Sequence, residues 1–285
     1  MIGYDRLGSN GRLGNQMFQY AALRGIAAKH SYDWCIPPEN YPHDSNYGLF
    51  ETFQLTNLTP KNIGFVDGKT IFEKNHSFDN EIFEYCSDNI NLHGYFQTEK
   101  YFYHIREQIL QDFSFKDDYL NPCKQFVDSL NTSPIFLHIR RSDAIGREDH
   151  HPILNLSYFE QALSNWDDDQ IVFVFTDDIE WCKSQKFFNQ DRFLFNESNK
   201  RYSYKTIDGT GIPQNTLLPQ VDLCLMSLCS GAIIANSSFS WWGAWLQNDR
   251  GIIVAPNYKN WFGPSLSHLD TSDIIPERWK MQNLN

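Results

Sequence analysis

An apolar strand that runs directly into a polar turn and an aromatic helix constrains the fold of this chain more than any other segment. The stretch 232–246 reads AIIANSSFSWWGAWL, and it contains no charged residue. The first amide groups of a helix have no partner inside the helix and lie at the positive end of its dipole, so they bind phosphate. The turn therefore predicts an anion site, with contacts from Asn236, Ser237, Ser238, Phe239 and Ser240.

Two alternatives for this segment follow from the same residues. In the first, the serines only cap the helix, while Trp241, Trp242 and Trp245 fill the core. In the second, the uncharged stretch 223–248 crosses a membrane as a single helix. Serines, glycines and an asparagine interrupt the apolar run, so that helix, strand and helix fit the pattern better than one span.

A second strand ends in a dense group of charges. The segment 134–143 reads PIFLHIRRSD, and open α/β sheets bind ligands at the carboxyl ends of their strands. In an extended strand His138 and Arg140 share one face, while Arg141 points to the other. We expect Arg140 to bind phosphate through its planar fork and Asp143 to pair with Arg141. The alternative is a surface ion-pair network beside a core histidine.

Glycines recur every third residue near the start of the chain, before a helical pattern that extends to residue 30. They are Gly8, Gly11 and Gly14. This spacing differs from G-x-G-x-x-G, and Asp33 precedes the next predicted strand, whereas a ribose-binding acid follows it, so the pattern argues against an NAD site. The glycines instead let the backbone approach a ligand, with Asn15 and Gln16 offering side-chain amides.

Composition excludes several classes of partner. Lys and Arg number 24 against 35 Asp and Glu, and the net charge of −11 repels nucleic acid and anionic lipid over most of the surface. Any anion must therefore meet a local basic site. The six cysteines show no zinc-ligand spacing and are expected to be reduced, buried thiols. No secretory signal follows Met1, which favours a cytoplasmic protein.

Short apolar runs alternate with helical patterns along the chain. This alternation predicts an α/β fold with two lobes and mostly parallel sheets, an N-terminal lobe over 1–130 and a C-terminal lobe over 131–285. In the first lobe, a strand that ends in LHGYFQ directs Tyr95 and Gln97 towards a cleft. Together with Trp241, these side chains are the predicted acceptor contacts.

A strand at 171–175 in the second lobe leads into two acidic residues. Asp177 and Asp178 follow its carboxyl end, where a base or ribose is expected to bind, although either acid is equally well placed as a helix N-cap. Asp167 and Asp169 have the D-x-D spacing of a manganese site but precede the strand, so we interpret them as a solvated turn. The sequence predicts no metal site.

Five segments together resemble the alpha-1,2-fucosyltransferases of glycosyltransferase family eleven. They are GRLGNQMFQYA at 11–21, LHGYFQTEKYF at 92–102, HIRRSD at 138–143, FTDD at 175–178 and IIANSSFSWWGAWL at 233–246. The resemblance implies a GT-B type fold of two facing Rossmann-like lobes. It also implies metal-independent, inverting transfer of L-fucose from GDP-fucose to the 2-hydroxyl of a terminal galactoside.

The same resemblance assigns roles to individual residues. Arg140, helped by His138 and the amides near Ser238, would neutralise the GDP leaving group, and Asn15 would contact the donor. Asp143 and His151 are the candidate bases for the acceptor proton, and a mechanism without a strong base is equally open. The absence of the Golgi anchor that eukaryotic members carry favours the cytoplasm of a bacterium or of the host of a virus.

The chain departs from the family pattern at two positions. Members usually read HIRRGDY, whereas this chain has Ser142 and Ala144 in place of the glycine and tyrosine, which leaves acceptor preference open. Two rival classes are a transferase for another nucleotide sugar and a non-catalytic sugar- or phosphate-binding relative.

Overall fold

The computed structural model describes residues 1–42, 47–195 and 219–283, and it contains two parallel sheets. The first sheet has the order β2-β1-β4-β3, and every pairing between its strands is parallel. Its strands are β1 (Ile2–Gly3), β2 (Trp34–Cys35), β3 (Lys69–Phe72) and β4 (Ile90–His93). The helices of this part are α1 (Leu13–His30), α2 (Gly48–Thr52), α3 (Asn80–Tyr85) and α4 (Arg106–Asp112).

The second sheet has the order β10-β9-β8-β5-β6-β7 and is also parallel throughout. Its strands are β5 (Ile135–Ile139), β6 (Val172–Thr176), β7 (Phe193–Phe195), β8 (Ala232–Ile233), β9 (Ile253–Pro256) and β10 (Lys280–Gln282). The remaining helices are α5 (Asp117–Ser129), α6 (Leu156–Leu163), α7 (Ile179–Ser184), α8 (Pro219–Leu228) and α9 (Ser238–Trp245). The predicted α/β fold with two mostly parallel sheets is confirmed.

The uncharged stretch 223–248 folds as part of α8, then β8, then α9, as the helix, strand and helix pattern predicts. None of the helices in the described ranges combines the length and the apolar character that a membrane crossing requires. All six cysteines are buried, which confirms their predicted burial.

Helix α9 connects the two sheets through its aromatic side chains. Trp241, Trp242 and Trp245 are each at most 1% exposed, and Phe18 of α1 lies with its ring centroid 4.5 Å from Trp241 and 5.0 Å from Trp242. The Trp241 indole N–H donates to the Ile274 carbonyl at 2.8 Å. The prediction that Trp241 contacts an acceptor is therefore wrong, because this side chain is buried. The alternative, in which the three tryptophans fill the core, is confirmed.

A buried ion pair fastens α1 to the end of α4. The Asp112 carboxylate is fully buried and accepts hydrogen bonds from Arg24, from the Tyr20 hydroxyl at 3.0 Å, and from the Asn57 backbone and side-chain amides at 2.8 Å each. The Arg24 guanidinium also lies over the Trp34 ring, 4.7 Å from its centroid. Both carboxylate oxygens of Asp112 thus have hydrogen-bond partners, as a buried charge requires.

Replacing Asp112 by alanine leaves the Arg24 charge buried without its counterion. Loss of one partner of a buried pair costs about 3 kcal/mol or more, and we expect the free energy of unfolding in urea to fall by that amount. The exposed Asp128, replaced by alanine, is the matched control and should change it by less than about 0.5 kcal/mol. If both variants lost the same free energy of unfolding, Asp112 would not be the buried counterion of Arg24.

Candidate active site

A cleft of about 730 Å³ lies between the two sheets, at the carboxyl ends of β5 and β6 and the first turns of α1 and α9. Strand register explains this meeting point, because His138 pairs with Phe175 and Ile139 with Thr176, so that both strands end at the same edge. Most predicted site residues line this cleft: Asn15, Tyr95, Gln97, His138, Arg140, Asp143, His151, Asp177, Asn236, Ser237, Ser238 and Phe239.

The N-terminus of α9 forms one wall of the cleft. Ser237 is its N-cap, and its hydroxyl accepts a hydrogen bond from the Phe239 amide at 3.3 Å. The Asn236 side chain donates to the carbonyls of Pro152 (3.0 Å) and Trp261 (3.2 Å), so it braces the turn. The amides of this first turn remain at the positive end of the helix dipole, as an anion site requires.

Ser240 does not contribute to this wall. It is fully buried, and its hydroxyl donates to the Ser237 carbonyl at 3.4 Å. The prediction that Ser240 binds the donor is wrong, because its side chain is fully buried and its hydroxyl is bonded inside the protein.

The N-terminus of α1 meets that of α9 in the cleft. The Asn15 side-chain oxygen accepts from the Ser238 hydroxyl at 2.8 Å and from the Gln97 amide at 2.9 Å. Two donors on one oxygen fix the orientation of the Asn15 amide, whose Nδ2 makes no hydrogen bond to any residue that the structure describes. Asn15 therefore presents a donor to the cleft.

Gln16, the neighbour of Asn15, is used inside the protein. It is fully buried; its Nε2 donates to the Gly11 carbonyl at 3.1 Å, and its Oε1 accepts from the Gly48 amide at 3.0 Å. The prediction that Gln16 contacts the donor substrate is wrong, because both polar atoms of this side chain bind backbone groups inside the protein.

Two arginines share one carboxylate at the centre of the cleft. Arg140 binds Asp143 through both nitrogens of its fork, with Nε to Oδ1 at 2.8 Å and Nη2 to Oδ2 at 3.0 Å. Arg12, from the turn before α1, reaches Asp143 Oδ2 at 2.6 Å and is largely exposed. The group carries a net charge of +1, as the sum of two cations and one anion, and forms a local basic site.

This arrangement corrects the predicted pairing of Asp143 with Arg141. Arg141 instead binds Asp178 at 3.2 Å and lies over the Trp181 ring, 3.9 Å from its centroid, outside the cleft. Hydrogen bonds from Arg140 and Arg12 hold the pKa of Asp143 well below its usual range. The carboxylate is therefore a poor proton acceptor, and its contacts assign it to orienting the two arginines.

The two aspartates after β6 organise the turn that carries these charges. Asp177 lines the cleft, but its oxygens accept from the backbone amides of Arg141 (2.8 Å) and Ser142 (3.0 Å). Asp178 caps α7 by accepting from the Trp181 amide at 3.1 Å. For Asp178 the prediction of a donor contact is wrong and the N-cap alternative is confirmed, because both of its oxygens are committed to the protein.

His138 and His151, two of the histidines that line the cleft, are uncharged near neutral pH. Burial lowers the pKa of His138 to about 4, and its Nδ1 is buried without a hydrogen-bond partner among the described residues. Burial, together with the nearby Arg140 charge, also lowers the pKa of His151. His138 thus offers a neutral hydrogen-bonding group and no positive charge, whereas His151 is a free base able to accept a proton.

Several cleft residues were not predicted, among them Arg12, His76 and Phe262. Arg12 had a signal in the sequence, because a cation inside a glycine-rich turn before a helix is placed like a phosphate ligand. His76 and Phe262 lie in connections far apart in the chain, and no local pattern distinguishes them from other loop residues.

Two facing α/β units with parallel sheets and a cleft between them form a GT-B type fold, and solved structures share it. A structure of NodZ alpha-1,6-fucosyltransferase soaked with GDP-fucose aligns with a TM-score of 0.51 at 11% identity, over 91% of this chain and 95% of that one. POFUT1 in complex with GDP-fucose aligns with a TM-score of 0.52 at 10% identity, over 88% and 94%. At these identities the likeness establishes the fold.

The chain belongs to glycosyl transferase family 11, whose model matches residues 69–279, and the predicted resemblance is confirmed. It is 30% identical to an alpha-1,2-colitosyltransferase of Escherichia coli, over 94% of this chain and 95% of the relative. It is also 30% identical to the O-antigen biosynthesis glycosyltransferase WbnK of the same species, over 89% and 93%. A galactoside 2-alpha-L-fucosyltransferase of Bos taurus is 21% identical, over 89% and 67%.

Gly14 permits the contact between α1 and α9. A methyl group at this position would lie 2.7 Å from the Phe239 amide nitrogen and 2.8 Å from the Ser238 hydroxyl. Alanine normally stabilises a helix relative to glycine, yet here we expect Gly14→Ala to lower the free energy of unfolding by about 2 kcal/mol through overpacking.

Gly48→Ala is the matched control, since the three atoms nearest to its methyl group would all belong to side chains, two of Leu13 at 3.3 and 3.7 Å and Gln16 Oε1 at 3.9 Å. Urea unfolding should show a loss of less than about 0.5 kcal/mol for this variant. If Gly14→Ala is no less stable than Gly48→Ala, the two helices do not approach as closely as described.

Proposed function

We propose that this glycosyltransferase moves L-fucose from GDP-fucose to the 2-hydroxyl of a terminal galactoside, with inversion at the anomeric carbon and without a metal ion. The observation that carries the proposal is the pair of arginines on Asp143, held between two helix N-termini in a family 11 chain. Diphosphate is the ligand that this combination of cations and amides fits best.

The donor diphosphate is proposed to lie between Arg140 and the first turn of α9. Arg140 is mostly buried and is fixed by two hydrogen bonds to Asp143, so it is oriented before the ligand arrives. Its Nη1 makes only a long contact, 3.5 Å, to the Asn236 carbonyl and is available to a phosphate oxygen. A preorganised charge stabilises the developing negative charge of the leaving group without reorganisation during the reaction.

The reaction breaks the bond between fucose C1 and the phosphate oxygen, whose electron pair stays on GDP. The acceptor 2-hydroxyl oxygen attacks C1 from the opposite face, which turns the beta-linked donor into an alpha-linked product. The hydroxyl proton must leave, and His151 is the uncharged side chain of the cleft proposed to accept it, with water as the alternative. Leaving-group stabilisation by Arg140 is the larger contribution in either case.

Arg12 and Arg140 are proposed to supply the positive charge that other glycosyltransferases take from a bound cation. In the part of the chain that the structure describes, no group of three or more His, Cys, Asp or Glu side chains could hold a metal ion. The proposal of metal independence rests on the two arginines, and turnover in excess EDTA tests it directly.

A second donor is favoured by one comparison. The 30% identity to an alpha-1,2-colitosyltransferase extends over nearly the whole of both chains. Colitose is fucose without its 3-hydroxyl, so the two donors share the diphosphate and the reacting carbon. A contact to the 3-hydroxyl would favour fucose, because a site built to bind a hydroxyl discriminates strongly against an analogue that lacks it.

The proposal is tested by GDP release from GDP-fucose and from GDP-colitose, with excess EDTA, in the presence and absence of lactose. We expect release from GDP-fucose that depends on lactose and persists in EDTA. Faster lactose-dependent release from GDP-colitose would assign the second donor. Binding of both donors without lactose-dependent release would overturn the acceptor, and failure to bind either would overturn the donor class.

Adjacent arginines provide a matched pair of variants. Arg140→Ala should lower kcat by roughly 1,000-fold or more, as expected when a preorganised charge stabiliser is removed. Arg141→Ala removes an equal charge whose partners, Asp178 and Trp181, lie outside the cleft, and it should retain most of the turnover. A loss below roughly tenfold for Arg140→Ala, measured by GDP release, would contradict its assigned role.

A further inference from the structure

Four aromatic rings form a continuous row across the cleft. Tyr95 and His76 stack with centroids 5.5 Å apart and planes 30° apart, and His76 meets the edge of Phe262 at 5.1 Å. Phe262 in turn lies 6.1 Å from His151. All four side chains are half-buried and line the cleft, so we call these residues the ring row. It extends from the end of β4 to the loops of the second sheet.

The backbone at both ends of the ring row is held by specific contacts. The Glu73 carboxylate accepts from the amides of Tyr95 at 2.6 Å and Phe96 at 2.9 Å, which fixes the turn after β4. Burial raises the pKa of Glu73 to about 7. At the other end, the Gly263 amide donates to the His150 carbonyl at 2.9 Å, and a side chain at Gly263 would meet the Asp149 backbone at 2.4 Å.

The ring row also has polar atoms that no described residue uses. The Tyr95 hydroxyl and the ring nitrogens of His76 and His151 make no hydrogen bond within the ranges that the structure describes. Burial lowers the pKa of both histidines, so their rings stay neutral near pH 7. Apolar ring faces with unpaired hydroxyl and imidazole groups between them suit a ligand that has both C–H surfaces and hydroxyls.

The ring row lies close to Arg140 and Asn15, and this position restricts which ligand the ring row binds. His151 is close enough to Arg140 for that charge to lower its pKa, and Tyr95 is two residues from Gln97, which binds Asn15. The ring row therefore lies next to Arg140 at one end and next to the N-terminus of α1 at the other. A ligand on the rings lies next to the place proposed for the donor sugar.

We propose that the ring row is the acceptor subsite and binds the apolar face of a terminal galactose. This inference rests on the proposed function, because it takes the acceptor to be a galactoside. In galactose the axial 4-hydroxyl leaves the C–H groups of carbons 3, 4 and 5 on one face, which packs on an aromatic ring. The Tyr95 hydroxyl and the imidazole nitrogens then bind the hydroxyls around the rim of the sugar.

Lactose binding in the presence of GDP tests the subsite independently of transfer. Saturation-transfer NMR should show the strongest enhancement at galactose protons 3, 4 and 5. Phe262→Leu and Tyr95→Leu keep apolar volume and remove the ring, and each should raise the Kd and the KM for lactose by roughly fivefold, as expected for the loss of one ring contact. The KM for GDP-fucose should stay within roughly twofold of the original value.

Tyr85→Leu is the control, because its ring is 77% exposed and lies outside the cleft. Its constants for lactose should match the unmodified chain. Unchanged lactose constants in both ring variants, or enhancement confined to the glucose unit, would overturn the ring row as the acceptor subsite. No lactose binding by the unmodified chain would overturn it too. Lactose binding that depends on the rings without transfer would instead contradict the proposed function and leave the subsite standing.

Discussion

The structure depends on the close approach of two helix N-termini, α1 from the first half of the chain and α9 from the second. Gly14 makes this approach possible, since any side chain there would overlap the Phe239 amide. The Asn15 and Ser238 side chains are joined across the contact, and the tryptophans of α9 pack against Phe18 behind it. The same contact that joins the two sheets therefore places two helix dipoles and an asparagine amide around one cleft.

Two arginines bring positive charge into the cleft of an acidic protein. The chain carries a net charge of −11, yet the centre of the cleft holds two arginines on one carboxylate. Asp143 orients both arginines and leaves a net positive charge between them, while Asp177 uses its oxygens to hold the backbone of the turn. A local basic site in an acidic protein attracts a nucleotide diphosphate without giving the surface a general affinity for polyanions.

The elements of the fold and most of the polar side chains at the arginine pair follow from the sequence, because strands that end in polar residues and glycine-rich turns are local signals. The errors concern side-chain direction. Alternation along β5 predicted that Arg140 faces the cleft and that Asp143 pairs with Arg141. The chain turns after β5, however, so that Asp143 pairs with Arg140. Gln16 and Ser240 lie one helical step from residues that do face the cleft, a difference that polarity alone does not encode.

Contacts between distant segments were beyond prediction for a different reason. His76 and Phe262 become neighbours only when the two sheets are assembled, and neither loop carries a pattern that distinguishes its ring from other aromatic residues of an aromatic-rich chain. Trp241 lies in a recognisable strand-turn-helix motif, but the motif is compatible with both a core and a ligand-binding tryptophan, and the structure buries Trp241 in the core.

The central claim is alpha-transfer of fucose to the galactose 2-hydroxyl, and the structure of the product tests it most directly. Lactose incubated with GDP-fucose and the protein should give one trisaccharide, whose two-dimensional NMR spectrum shows a through-bond correlation between fucose C1 and the proton on galactose C2, with an alpha anomeric coupling. A correlation to any other galactose carbon, or a beta coupling, would contradict the account.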